Sequence, residues 1–221
     1  MAWVSGLTER ADVYELVKRV VRLRVEGAEH VPATGPVLLA SNHLSITDST
    51  FLPMAVARHV TFMAKAEYFT GSGPFGRFVS WFMSRDGQVA VDRDDKRAAV
   101  ASLDTCLDVL HRGNAFAIYP EGTRSPDGRL YRGRTGVAWL ALKSGAPVVP
   151  VAMFGTDRVL PPGSVIPRPA RVRVVFGKPV QLAAIATDPE NARERRAATE
   201  AIMASIGKLS GQEYVPKYAR A

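Results

Sequence analysis

The amino-acid sequence predicts an α/β fold: a single domain on a mixed, mostly parallel sheet flanked by helices, preceded by an N-terminal amphipathic helix. Three observations carry that prediction. Short runs of nearly continuous apolar character recur along the chain, as in strands buried on both faces. Segments with apolar residues at helical spacing alternate with them, the order of strand–helix–strand units. Hydrophobic residues make up 47% of the 221, enough to bury one sizeable core.

The elements follow in order. Residues 8–25 read as an amphipathic helix, with Val13, Leu16, Val17, Val20 and Val21 in a stripe and Lys18, Arg19, Arg22 and Arg24 on or beside the other face. Two readings stand for it: a helix packed on the core with a solvated charged side, or an interfacial helix drawn to acidic headgroups, each basic residue adding about 1 kcal/mol near the surface. After the turn cluster Pro32-Ala33-Thr34-Gly35-Pro36, residues 37–40 form a first strand, and Ser41-Asn42-His43 leads into a helix running through residue 58. Strands follow at 60–64 and 88–91, separated by a loop and a short aromatic helix at 75–83. A helix over 95–112 is closed by Gly113. Residues 115–119 give a fourth strand ending in a polar turn, and a helix over 137–144 stops at Gly145 and Pro147. Strands at 148–153 and 172–176 and a charged helix over 190–209 complete the chain. No repeat, low-complexity tract or linker divides it. The expected organisation is an amphipathic, membrane-associating segment over 1–30 and one globular domain over 31–221.

Charge narrows the partners. Lys and Arg number 29 against 21 Asp and Glu, a net +8 that favours nucleic acid, an anionic membrane face or phosphorylated substrates. No nucleic-acid recognition motif accompanies the dispersed basic residues, so nucleic acid is not expected. His30, His43, His59 and His111 are scattered without a close ligand pair, so no metal site is expected. The single cysteine, Cys106, recurs with Val100, Leu103, Leu107 and Leu110 at helical spacing and reads as a core thiol rather than a nucleophile. Neither a secretory signal nor an apolar run long enough to span a bilayer is evident, so any membrane contact is expected to be peripheral.

Two polar clusters sit where strands end. Asn42-His43-Leu44-Ser45-Ile46-Thr47-Asp48 places a histidine before a helix and a carboxylate in its first turns, a pairing that suits a general base with its orienting acid. For an isolated pair of this kind, a capped helix start with a satisfied histidine is the better explanation. Tyr119-Pro120-Glu121-Gly122-Thr123-Arg124-Ser125 joins exposed amides, a hydroxyl and a guanidinium, the groups that hold a phosphate. Taken alone it also fits a solvated basic loop.

Together the clusters resemble the glycerolipid acyltransferase family that includes 1-acylglycerol-3-phosphate acyltransferases. That family shows Asn-His, four residues, Asp; then a Val-Asp-Arg type block; then Phe-Pro-Glu-Gly-Thr-Arg-Ser; then Val-Pro-Val. Here these read Asn42-His43 to Asp48, Val91-Asp92-Arg93, Tyr119 to Ser125, and Val149-Pro150-Val151. The resemblance covers residues 25–180 and implies a glycerol-3-phosphate-acyltransferase-like fold for the domain. It implies acyl transfer from acyl-CoA or acyl carrier protein to lysophosphatidic acid, giving phosphatidic acid for phospholipid biosynthesis, with no cofactor beyond the thioester co-substrate. His43 and Asp48 are the implied catalytic pair, acting without an acyl-enzyme. Gly122, Thr123 and Arg124 would hold the acceptor phosphate with Arg93 as second cation. Glu121 would order the turn, Asn42 belongs to the same block, and Lys65 is a further candidate that fits a solvated loop lysine as well. An anionic membrane surface, on the cytoplasmic side of the cell membrane, is the implied place of work. Tyr119 stands where Phe is commoner, and the chain shows no long hydrophobic leader of the kind many relatives carry.

Rival readings rest on less. Gly71-Ser72-Gly73-Pro74-Phe75-Gly76 fits a dinucleotide fingerprint literally, yet residues 65–70 separate it from its strand and Pro74 occupies the turn. A non-catalytic lipid binder would not need both His43 and Asp48. Within the enzyme class the alternatives are other acceptors: glycerol 3-phosphate, another lysophospholipid or a glycolipid.

Overall fold

The computed structural model describes residues 21–65, 89–91, 96–161, 164 and 168–220, with the side chains of 63–65, 89–91 and 96–101 outside that set. The amphipathic segment up to residue 20, the Gly71–Gly76 loop, the aromatic helix expected at 75–83 and the Asp92-Arg93 pair lie outside the described residues.

Among the described residues seven strands form one sheet: β1 (Arg24–Glu26), β2 (Val37–Ser41), β3 (Val60–Lys65), β4 (Val89–Val91), β5 (Ala115–Ile118), β7 (Val148–Phe154) and β8 (Arg173–Phe176), in the order β1-β8-β7-β2-β5-β3-β4. β6 (Leu130–Tyr131) and β9 (Tyr214–Val215) pair separately. Helices are α1 (Asp48–Met54), α2 (Lys96–His111), α3 (Gly136–Ser144), α4 (Thr156–Val159) and α5 (Ala192–Ser210). Every pairing in the large sheet is parallel except β7 with β8. The fold is the mixed, mostly parallel α/β sheet the sequence predicts.

Alternation within the strands divides the core between the two sheet faces. From β2, Val37 and Leu39 join Phe51, Leu52, Val151 and Val174 on one face. Leu38 and Ala40 join Cys106, Leu110, Leu140 and Ile202 from α2, α3 and α5 on the other. Leu38 and Leu39 are both fully buried, each worth about 1.5–3 kcal/mol of apolar transfer. That two-sided burial is why the strand reads as an unbroken apolar run rather than an alternating one. Cys106 is buried, and desolvation pushes its thiol up to about 12, the behaviour of a core residue.

Two expected boundaries are corrected. The helix read over 8–25 does not reach its end: Arg24–Glu26 is a strand, paired with Arg173–Val175, and Arg24 N donates to Val172 O at 2.9 Å. The open edge of β8 supplies hydrogen-bond partners that the last residues of a periodic stripe cannot match. The helix expected through residue 58 ends at Met54: Pro53 costs it one internal bond, and the chain then tightens to i−3 bonds, Ala55 N to Leu52 O at 3.1 Å and Val56 N to Pro53 O at 3.4 Å. The residues that follow contribute Arg58, whose guanidinium donates to Pro32 O and Gly35 O at 2.7 Å and to Gly113 O at 3.2 Å. One side chain thereby ties together the turns that precede β2 and β5.

Turn glycines act where the chain leaves the sheet. Gly155, between β7 and α4, has φ 76°, and a Cβ there would run into Arg171 O. Gly155→Ala is expected to lower unfolding stability by more than about 2 kcal/mol, measured as a shift in denaturant midpoint. An unchanged midpoint would refute this account of the turn.

Candidate active site

Because β2, β5, β7, β3 and β4 run in the same direction, their C-terminal ends share one edge of the sheet, the edge where open α/β folds place their sites. His43 follows β2 and Glu121 follows β5; Lys65 ends β3.

The turn after β2 is organised by Asp48, the first residue of α1. Its Oδ2 accepts from His43 Nδ1 at 2.8 Å, Leu44 N at 2.7 Å and Ser45 N at 2.8 Å. The carboxyl is fully buried, whereas the His43 side chain keeps 11% of its surface exposed. A carboxylate can only accept, so Nδ1 carries the proton and the lone pair lies on Nε2. Tyr119 stacks on the imidazole, ring centroids 3.9 Å apart and planes 10° from parallel, and its hydroxyl pairs with Ser49 Oγ at 3.1 Å. Burial drives the Tyr119 phenol well above its usual range, so it stays protonated. The ring of His43 is thus fixed in its plane by one neighbour and in its tautomer by another.

Asn42 is 1% exposed and its amide is spent on the protein. Oδ1 accepts from Met153 N at 2.7 Å while Nδ2 donates to Met153 O at 3.2 Å and to Gln212 Oε1 at 2.9 Å. Gln212 Nε2 donates in turn to Gly128 O at 2.7 Å. Asn42 positions the turn through β7 and the C-terminal segment, with no polar atom aimed at a ligand.

Glu121 joins the two clusters. Fully buried, it accepts from His43 N at 3.2 Å through Oε1 and from Tyr131 N at 2.9 Å through Oε2. Ser125 N donates to His43 O at 2.7 Å, a second stitch between the same segments. Burial raises the Glu121 carboxyl to about 7, partly offset by the two backbone donors and helped by the charges of Asp48 and Asp127.

The phosphate-type groups stand at the rim. Thr123 is half-buried, and Arg124 is exposed with no hydrogen bond or ion pair among the described residues. Gly122 has φ 76°, and a Cβ on it would lie 2.7 Å from Arg134 Nε. Glycine here lets Arg134 pack over the turn, adding a cation to which sequence reasoning gave no role. The Lys65 side chain and all of Arg93 lie outside the described residues. Gln212 and the Tyr119–Ser49 pair were also missed, since partners 170 and 70 positions apart leave no local pattern.

Comparison with known proteins finds relatives of this chain. The acyltransferase family model matches residues 22–154. A chloroplastic 1-acyl-sn-glycerol-3-phosphate acyltransferase of Arabidopsis thaliana is 34% identical over 180 residues, covering 80% of this chain and 48% of its own. A chloroplastic counterpart from Brassica napus is 34% identical over 158 residues, covering 71% of this chain and 44% of its own. The chain thus spans about half the length of these two relatives. The crystal structure of the 1-acyl-sn-glycerophosphate acyltransferase PlsC from Thermotoga maritima superposes with a TM-score of 0.66 at 27% identity, over 92% of this chain and 82% of that one.

The raised Glu121 carboxyl makes a pH prediction. Its protonated form is favoured by folding, so its contribution to stability is complete below about pH 4.5 and is lost as pH rises through about 7. In Glu121→Gln that titration is absent. The melting temperature of wild type minus that of the variant is therefore expected to fall steadily between pH 5 and about 8, followed by thermal unfolding; a difference that rises with pH would contradict the assignment.

Proposed function

The chain belongs to the acyltransferase family, and we propose that it moves a fatty acyl group from acyl-CoA or acyl carrier protein to the free hydroxyl of 1-acylglycerol 3-phosphate, giving phosphatidate. The observation that carries this reading is the 2.8 Å bond between His43 Nδ1 and the buried Asp48, which leaves Nε2 as a base at the sheet edge. Nε2 takes the proton from the acceptor hydroxyl as its oxygen attacks the thioester carbonyl. A new C–O bond forms, the C–S bond breaks, and the thiolate leaves with the proton returned from the imidazolium, which the charge of Asp48 stabilises.

This is half of a serine-hydrolase triad, with the substrate alcohol in place of the serine, so no acyl-enzyme is formed. The inert, buried Cys106 supports that route, since it offers no competing nucleophile. Arg124, with Gly122 and Thr123, holds the acceptor phosphate, with Arg93 as second cation and Lys65 as a further candidate. Net charge +8 supports work at an anionic membrane face, peripherally and on the cytoplasmic side. No described helix is long and apolar enough to cross a membrane.

Purified protein incubated with acyl-CoA and lysophosphatidate should release free thiol and form phosphatidate. His43→Ala is expected to lower turnover by about 10²–10⁴-fold, and Asp48→Asn by a comparable factor through the wrong tautomer. Thiol release that survives in His43→Ala would remove the base from the mechanism. Arg124→Ala is expected to raise the KM for lysophosphatidate by roughly tenfold or more while leaving the KM for acyl-CoA nearly unchanged. A KM effect confined to acyl-CoA would move Arg124 to the donor.

A further inference from the structure

The acceptor flank accounts for one side of His43 only. On the other side of β2 a cavity of about 440 Å³ opens among β7, α4, β8 and β1, within the range of small-molecule sites. It reaches the catalytic turn: Leu44, whose N–H is bonded to Asp48, lines it, and so does Gln212, the partner of Asn42. Four arginines stand around it: Arg24 at the start of β1, Arg158 in α4, Arg171 in the segment before β8 and Arg173 at its first residue.

The strands bring these groups together. Arg24 and Arg173 are register partners, and β8 runs antiparallel to β7, so both lie at the edge that carries His43. Arg173 sits 4.1 Å from the centre of the Phe154 ring and 3.5 Å from Glu26, which orders its guanidinium. Among the described residues, Asp157, which also lines the cavity, and Glu26 stand against the four cations. Positive charge remains in excess.

Arg124 lies in the loop after β5, which reaches the cavity at Gly128. β2 lies between β7, β8 and β1 on one side and β5, β3 and β4 on the other. The proposed reaction brings two phosphorylated molecules to His43, one with a single phosphate and one, coenzyme A, with a pyrophosphate and a 3′-phosphate. Several guanidinium groups are what multiple phosphates need. We propose that the arginine-lined cavity holds the phosphates of a coenzyme A-linked donor. The inference rests on the acyl-transfer reading.

Coenzyme A itself is the probe, with binding measured by titration calorimetry at low salt without lipid, which needs no turnover. Arg158→Ala combined with Arg171→Ala is expected to weaken binding by about tenfold or more, and the corresponding double change to Lys to recover most of it, which separates loss of charge from loss of fold. In detergent-dispersed assays the alanine pair should raise the KM for acyl-CoA and not that for lysophosphatidate. Unchanged coenzyme A affinity in the alanine pair overturns the proposal. So does an intact coenzyme A affinity with lost binding to phosphatidylglycerol vesicles, which would make the cluster a membrane contact, or a KM effect on acyl carrier protein donors alone. If wild type binds no coenzyme A yet turns over acyl-CoA, the donor site falls and acyl transfer stands. If it neither binds coenzyme A nor acylates any acceptor from either donor, both fall together.

Discussion

The site depends on one buried carboxyl more than on any other group. Glu121 accepts from the main chain of His43 and of Tyr131 on separate oxygens, so the turn after β2 is held by the turn after β5. Removing a carboxylate from water costs several kcal/mol, and each charge-assisted bond returns about 1.5–3. Two such bonds offset part of the cost and not all of it, which is why the group is raised to about 7 instead of keeping an ordinary carboxylate value. Protonation places a hydrogen on an oxygen that faces an N–H, so only the ionised form accepts cleanly from both. The position of His43 relative to the Gly122-Thr123-Arg124 rim is thereby set by a fully buried group.

Sheet order supplies the second constraint. β2 lies between two parallel neighbours, β5 and β7, and must leave the sheet to present His43. A departing strand strands the backbone groups of its neighbour, and buried groups of that kind cost about 1–3 kcal/mol each when unpaired. The side chain of Asn42 meets the need: its amide donates to and accepts from Met153 just as a backbone unit would. The ladder continues by one residue in side-chain form while the main chain turns away. An amide is required there because both a donor and an acceptor must be offered, which aspartate or serine cannot do in that geometry.

Much of this was legible in the sequence, for reasons that can be named. Residues 37–40 and 148–153 are buried on both faces, so their apolar runs announce strands whatever surrounds them. Gly145 ends α3 in the left-handed conformation, with φ 64° and its N–H on Ala141 O, as its position after Ser144 suggests. The His43–Asp48 pair is local, five residues apart, and its geometry follows from the turn that Asp48 caps. What escaped is non-local or set by competition. β1 is a strand only because β8 offers it an edge, and the pattern of its own residues continues a helical stripe. Gln212 has no motif around it and matters because α5 returns it to Asn42. The arginines that line the cavity beside β8 come from three separated segments, and the sequence shows only that basic residues are in excess.

The aromatic at position 119 shows how the site tolerates a change that looks consequential. The ring stacks on the imidazole and leans on Phe62, whose centroid is 5.9 Å away; both contacts use the face of the ring and not its hydroxyl. A buried phenol without a partner would cost about 1–3 kcal/mol. Ser49, one residue past Asp48 on α1, provides that partner, so the hydroxyl is close to neutral in stability. Ring and carboxylate then brace the same imidazole from one helical turn: Asp48 through Nδ1, and Ser49 through the ring it holds. Loss of the aromatic face would free the imidazole to tilt, whereas exchange of tyrosine for phenylalanine removes only a hydroxyl that Ser49 had already satisfied.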